Sequence, residues 1–352
     1  MAMREDFRYH DECLACSGPR PTVSALIRAE PEDFQVEEIL EITPSGEGEH
    51  YLMQVRKRNV DTQEVAARLA RVAGVPQRDV SYCGLKDRRA VCWQWFSVRM
   101  PGRSEPAWQD YEDSEVAVLE CHRHRRKLRR GAHGGNRFSI TLRDVSGAPA
   151  DLEARLGEIT RHGIPNYFGP QRFGADGGNV LRALDALTAK TRPRDRYRYG
   201  LYVSAARSWL FNRVLSNRVA AGNWNQALEG DVFMLDGTRS IFTEDRLDDN
   251  LRRRIAAMDL HPAGPLWGRG AVRVRADAAA IQDSALQGME TLCGALESAR
   301  CELQHRALRA RVAGLSWRWD SSSVELDFCL ARGVYATSVL RECVALRSPS
   351  NK

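Results

Sequence analysis

No stretch of the 352-residue sequence approaches the roughly 20 uncharged apolar residues that a helix needs to cross a bilayer. That excludes a protein built on membrane-spanning helices. The first residues, MAMREDFRYHDE, are charged within a few positions and lack the apolar core of a signal peptide, so the expected location is the cytoplasm. Cysteine is sparse. Nine residues (Cys13, Cys16, Cys83, Cys92, Cys121, Cys293, Cys301, Cys329 and Cys343), an odd number scattered over the chain, make no disulfide framework and predict reduced thiols. Only Cys13 and Cys16 form a C-x-x-C, and without a second pair at ligand spacing a zinc site there lacks half its ligands. There is no G-x-x-x-x-G-K-[ST], no H-E-x-x-H and no G-x-S-x-G, which removes support for ATP hydrolysis, zinc proteolysis and α/β-hydrolase chemistry. The Gly46/Gly48 pair has no third glycine and reads as a turn. A large excess of one charge is missing too: 52 Lys and Arg against 46 Asp and Glu leave +6, which matters only where it is clustered.

What is present is ordinary globular material, 43% apolar and 28% charged, long enough for one large domain or two. Residues 34–145 predict mainly strands. Phe34 with Val36, then residues 50–55, read as strands joined by the turn-rich segment 43–48. One helix is well marked. Asp61 or Thr62 caps it, Glu64 completes a capping box, Val65, Leu69 and Val72 share a face, and Gly74 with Pro76 stops it. Segments 93–98, 116–119 and 138–142 read as further strands. After Asp151 helical spacing takes over, at Leu152, Leu156 and Ile159 and over 204–221, 246–258 and 278–298, the last with Asp277 as N-cap. Strand alternation returns at Leu315, Trp317 and Trp319 and from Val324 to Leu330, before a final helix capped by Ser338 or Thr337. Strand-rich ends around a helix-rich middle suggest one domain inserted into another.

Positive charge, balanced overall, is locally dense. Residues 122–130 read HRHRRKLRR, six Lys or Arg and two His in nine positions. Such a run is either a solvated loop or a phosphate contact, since clustered cations release counterions from a polyanion. Arg192, Arg194, Arg196 and Arg198 make a second patch, and the two together favour nucleic acid. The candidate for chemistry is Tyr82-Cys83-Gly84-Leu85-Lys86-Asp87-Arg88-Arg89-Ala90, one carboxylate among three cations. Neighbouring positive charge favours an ionised carboxylate, which can act as nucleophile or base. Taken alone, the same segment reads first as a surface ion pair.

These residues carry a resemblance. GLKDRRAVCWQWFSV resembles the catalytic motif of the TruD family, the tRNA pseudouridine-13 synthases, and other segments match that family in order. They are PEDFQVEE from Pro31, RKLRRG from Arg126 with GNRF from Gly135, IPNYFGPQRFG from Ile164, GPLWG from Gly264 and YATSVLRE from Tyr335. The resemblance spans about residues 25–345. It implies an α+β fold: a pseudouridine-synthase catalytic domain with a mixed sheet, formed from both chain ends (1–162 and 309–352), plus an inserted helix-rich TRUD domain (163–308). It implies that the protein isomerises a uridine, position 13 in the D-stem region of tRNA, on a flipped-out nucleotide. Asp87 becomes the single catalytic aspartate, and Phe34, Asn136 and Tyr335 line the uridine pocket with Phe138 beside it. Tyr335 departs from the family, which usually has Phe there. Lys86 either keeps Asp87 ionised or binds substrate phosphate, and Arg125, Arg126, Lys127, Arg129 and Arg130 are placed on the RNA backbone.

The reaction breaks an N-glycosidic bond and makes a C–C bond. It imports no group and oxidises nothing, so neither a metal nor an organic cofactor is expected. The expected partner is tRNA, with no membrane, and the expected state is a monomer. Two other readings compete: a non-catalytic RNA-binding protein, and an aspartate-dependent glycosyl enzyme acting on small molecules. The basic patches argue against the second, and the intact Asp87 motif against the first.

Overall fold

The computed structural model describes residues 7–102, 105–108, 113–189, 195–271 and 274–347. Strand β1 (Ser24–Leu26) is followed by β2 (Phe34–Ile39), where Phe34, Val36 and Glu38 are buried and the residues between them half-buried, the period-2 pattern of a strand. In β3 (His50–Arg58) Met53, Val55 and Lys57 point to the covered side. Helix α1 (Thr62–Ala73) buries Val65, Ala66, Leu69 and Ala70 against Tyr51, Met53, Val55 and Phe96. It ends at Gly74, whose left-handed backbone (φ 61°) lets its N–H reach the last carbonyls. Asp61 stands at its N-cap position, but its side chain makes no capping bond, so the capping box read from the sequence does not form.

The chain continues through β4 (Val80–Tyr82), β5 (Val91–Arg99), β6 (Val116–His124), β7 (Gly135–Ser146), α2 (Pro149–His162) and β8 (Ile164–Pro165). Then come α3 (Asn179–Thr188), α4 (Arg196–Ala220), β9 (Val232–Leu235), β10 (Ile241–Thr243), α5 (Asp249–Ala256) and β11 (Leu260–Leu266). Helices α6 (Ala276–Leu286) and α7 (Glu290–Ser298) precede β12 (Gln304–Ala307), β13 (Arg309–Ala310), β14 (Ala313–Asp320) and β15 (Ser323–Ala331). Helix α8 (Ala336–Cys343) and β16 (Ala345–Arg347) close the described chain. The single helix expected over 278–298 is two, because Gly288 takes φ 82° between them. Asp277 lies inside α6 rather than at its N-cap, which is Arg275, and Thr337 and Ser338 lie inside α8. Helix α4 starts eight residues before the expected 204, capped by the Asp195 carboxylate on the N–H groups of Tyr197 and Arg198. Its first turn is mostly exposed and carries no apolar face to read, Tyr202 and Val203 are half-buried against the helix-rich core, and full burial begins at Ala205.

Among the described residues a ten-stranded sheet runs β14-β15-β7-β2-β5-β3-β6, with β1 beside β7 and β16, and β4 beside β5. The β2–β5 and β1–β16 pairs are parallel and the rest antiparallel, so the sheet is mixed and the fold is α+β. The chain divides into two compact units. One comprises Thr22–Leu152, Val312–Gly333 and Val344–Lys352 and holds this sheet with α1. The other comprises Met1–Pro21, Glu153–Arg311 and Val334–Cys343. It holds the remaining helices and a four-stranded sheet, β10-β9-β11-β12, that the helical texture hid. Pro262 and Pro265 lie within β11 and blur its strand pattern.

This division departs from the boundaries 1–162, 163–308 and 309–352 at both chain ends. Residues 7–14 look irregular in sequence, yet Phe7, Tyr9 and Leu14 bury in the helix-rich core with Phe173, Trp209 and Phe211, and Tyr9 stacks on Phe173 with ring centroids 3.9 Å apart. Glu342 of α8 accepts hydrogen bonds of 2.7 Å from both the N–H and the hydroxyl of Ser17 in the same unit. All nine cysteines are free thiols, Cys13 exposed and Cys16 half-buried. No helix among the described residues is long and apolar enough to cross a membrane.

Candidate active site

Asp87 sits in the loop between β4 and β5, and that loop is anchored residue by residue. The Cys83 carbonyl accepts from the Gly131 N–H at 2.8 Å, and the Gly84 carbonyl from Gln94 Nε2 at 2.7 Å. The Lys86 N–H donates to the Thr62 hydroxyl at 3.0 Å, which in turn donates to Gln94 Oε1 at 3.0 Å. Thr62 and Gln94 are both buried, so the helix-start threonine holds the loop instead of capping α1. The Asp87 carboxylate keeps 30% of its side-chain surface exposed and accepts from Arg28 Nη2 at 2.8 Å. Arg28 takes a left-handed backbone (φ 57°) that bends the chain ahead of β2. Its guanidinium also lies 4.1 Å from the centroid of the Phe34 ring, a cation–π contact.

Strand registers set Val36 beside Cys92, and Glu38 opposite Asn136 and Val36 opposite Phe138. Phe34, Val36, Glu38, Asn136 and Phe138 therefore share one face of the sheet. Phe34 and Phe138 meet edge to face at 6.1 Å, and Phe138 stacks on Phe328 at 5.4 Å. Both rings are buried, and Phe34 lies beneath Arg28, so they form the floor of the site rather than open stacking platforms. Asn136 differs: its Oδ1 is buried and has no hydrogen-bond partner among the described residues, an acceptor that a ligand donor would satisfy.

Lys86 does not point at Asp87. Its side chain is 7% exposed and its ammonium donates to Glu38 Oε1 at 2.7 Å, while Glu38 Oε2 accepts from the Trp95 N–H at 3.0 Å. In this structure the Lys86 cation is committed to the buried Glu38 carboxylate rather than to Asp87. Glu38, Cys83 and His133 bring three potential metal-ligand atoms within 4.8 Å of one another. Both Glu38 oxygens are already engaged, and burial pushes the Cys83 thiol up to about 11, so it stays protonated. Burial also holds His133 below the usual histidine range, against the opposing pull of Glu38. The trio is thus a protonated thiol and a carboxylate already paired with Lys86, beside a histidine whose charged form burial disfavours.

The family profile described as tRNA pseudouridine synthase D (TruD) matches residues 17–181 and 176–343. The chain belongs to the TruD family. It is similar to the tRNA pseudouridine synthase D of Methylococcus capsulatus, 48% identical over 324 residues covering 92% of each chain. That of Stutzerimonas stutzeri is 44% identical over 336 residues, 94% of this chain and 96% of the relative. A crystal structure from Methanosarcina mazei, described as a tRNA pseudouridine synthase D, matches with a TM-score of 0.76 over 97% of each chain at 22% identity and shares the fold.

Beyond the Asp87 loop, this TruD-family chain displays its basic run on the edge strand β6 and the loop that follows. Leu128 is buried and its N–H bonds Ser97 Oγ at 2.9 Å, while Arg125, Arg126, Lys127, Arg129 and Arg130 are exposed around it. Arg125 pairs with Glu47, and the Arg130 guanidinium lies 4.5 Å from the Tyr82 ring centroid. His124 Nδ1 accepts from the Ser45 N–H at 3.2 Å, and His122 lies 3.3 Å from Glu120; both are tied locally. Arg196 and Arg198 of the second patch are exposed at the start of α4, whereas Arg192 and Arg194 lie outside the described residues. Tyr335 belongs to the helix-rich unit, not to the sheet unit that gathers Asp87, Phe34, Asn136 and Phe138. There its hydroxyl accepts from Arg172 Nη2 at 2.9 Å, and its ring lies 6.2 Å from that of Phe168. The residues that sequence reasoning missed are Arg28, Glu38 and Lys57, the last holding the Asp87 carbonyl at 2.6 Å. Only a lysine at a covered strand position hinted at any of them.

Proposed function

We propose that this chain isomerises a uridine of tRNA to pseudouridine, with Asp87 acting on a nucleotide flipped out of its stack at position 13 in the D-stem region. The observation that carries the reading is the Asp87 carboxylate, part-exposed on an anchored loop and paired with Arg28 at 2.8 Å, in a chain of the TruD family. The N1–C1′ bond breaks, the uracil turns, C5 bonds to C1′ and loses its proton, and N1 gains one. The base must leave its stack to be reached, which asks for a shaped pocket with polar groups on the base edge. Uracil offers one N–H between two carbonyls. The unpartnered Asn136 Oδ1 suits that N–H, and the same amide has donors for a carbonyl. Phe34 and Phe138 supply an apolar floor that excludes water. For Tyr335 the family resemblance supplies a stacking role.

The test is conversion of uridine in a tRNA transcript by the purified protein without added cofactor, with the modified position mapped. Asp87→Asn is nearly isosteric but removes the charge, so conversion is lost while tRNA affinity stays close to wild type. Substantial single-turnover conversion by Asp87→Asn refutes the role of Asp87, and a modified position elsewhere refutes position 13.

A further inference from the structure

We propose that Lys57 is a positioning residue for Asp87: its buried ammonium pins the Asp87 main-chain carbonyl and so fixes the direction in which the carboxylate leaves the loop. This rests on the reading of Asp87 as the catalytic aspartate. Lys57 is the penultimate residue of β3 and is 0% exposed. Lysine is among the residues least often fully buried, and its ammonium tolerates burial only when it is hydrogen-bonded. Here Nζ donates to the Val60 carbonyl at 2.8 Å and to the Asp87 carbonyl at 2.6 Å. Lys57 stands opposite Cys92 across the β3–β5 ladder, and the Cys92 thiol lies 3.8 Å from the same Asp87 carbonyl. The other loop anchors hold Gly84 and Lys86. Lys57 holds Asp87 itself.

The aspartate is then fixed at both ends, its backbone by Lys57 from β3 and its carboxylate by Arg28 from the β1–β2 connection. A methionine would fill the same stem volume in this strand without the cost of burying a charge. What it lacks is a donor that reaches the loop. Fixing the peptide matters because a reacting group displaced by about 1 Å loses rate by about 10²-fold, while binding surfaces elsewhere are untouched. Lys57 therefore acts on the chemical step and not on tRNA affinity.

The experiment is single-turnover conversion of a tRNA transcript with saturating enzyme in excess, alongside binding isotherms and melting curves, for wild type, Lys57→Met, Lys57→Gln and Asp87→Asn. While active enzyme remains saturating and in excess, a rate constant read this way is independent of the fraction of active molecules, which the melting curves report. The expected result is a rate constant about 10–100-fold lower for Lys57→Met at unchanged tRNA affinity, with Lys57→Gln, which keeps a donor, in between. A lysine that only supports the fold lowers the melting temperature but leaves the rate constant at the wild-type value, and that result overturns the proposal. Should Lys57→Met fail to fold, the rate constant of Lys57→Gln decides on the same terms. An active Asp87→Asn overturns the reading of Asp87. An inactive Asp87→Asn beside fully active Lys57 variants overturns the role of Lys57 alone.

Discussion

Replacing Arg126, Lys127 and Arg129 together with Gln is expected to weaken binding of all tRNAs alike and to flatten its salt dependence. The structure selects these three from the basic run. Arg125 is committed to Glu47 and Arg130 lies over Tyr82, whereas Arg126, Lys127 and Arg129 are exposed and in no ion pair among the described residues. The buried Leu128 between them holds the loop in place and is left untouched. Each RNA phosphate that no longer meets a cation lowers the slope of log affinity against log salt by about 0.7–0.9, so three such phosphates lower it by about 2.1–2.7. Raising salt from about 50 to 200 mM, a fourfold change, then costs the variant about 20- to 40-fold less affinity than it costs wild type. Fluorescence-polarisation isotherms at four salt concentrations measure the slope directly. An unchanged slope means the run is a solvated face. A flattening as large in an Arg125→Gln/Arg130→Gln variant refutes the selection made from the ion pairs.

Lys86→Met leaves the Glu38 carboxylate buried without its cation and is expected to lower stability by about 3–5 kcal/mol. Adding Glu38→Gln recovers much of that loss in chemical denaturation, and a single variant as stable as wild type refutes the buried pair. His133 is held below its ordinary value of 6.5 by burial, as is His50, so the unfolded chain binds more protons than the folded one below that pH. Stability from this source is fully present above about pH 6.5 and is lost as the pH falls through and below it. The melting temperature of His133→Gln should therefore drop less between pH 8 and pH 6 than that of wild type, and equal drops refute the assignment. Tyr335→Ala is expected to lose about 5- to 150-fold in single-turnover rate, the range for removing a base-stacking ring worth about 1–3 kcal/mol. Tyr335→Phe loses only the bond from Arg172, about 1 kcal/mol. A Phe variant as inactive as Ala shows that the hydroxyl is what the enzyme uses, and an Ala variant that only melts earlier shows a core residue.

The sequence by itself determined the period-2 strands that carry Phe34 and Phe138, the extent of α1, the basic run and the motif around Asp87. Periodicity reports which face of an element a residue occupies, and short-range motifs report which residues are near in the chain. Neither reports a partner far along it. Tertiary structure alone brought Arg28 to Asp87 across 59 positions and Lys57 across 30, through the parallel β2–β5 and antiparallel β3–β5 pairings. It also turned Lys86 inward to Glu38, a direction that adjacency to Asp87 cannot give, because consecutive loop residues point where the loop's anchors send them. The helix-rich unit was legible as helical, but its four-stranded sheet was not, since strands of three to seven residues, the longest of them holding two prolines, show too few alternations to register. That residues 7–14 join this unit was decided by the core their aromatic and apolar side chains enter, and that α8 joins it by bonds such as Ser338 to the Tyr167 carbonyl and Ser17 to Glu342, questions of three-dimensional fit on which a linear pattern is silent.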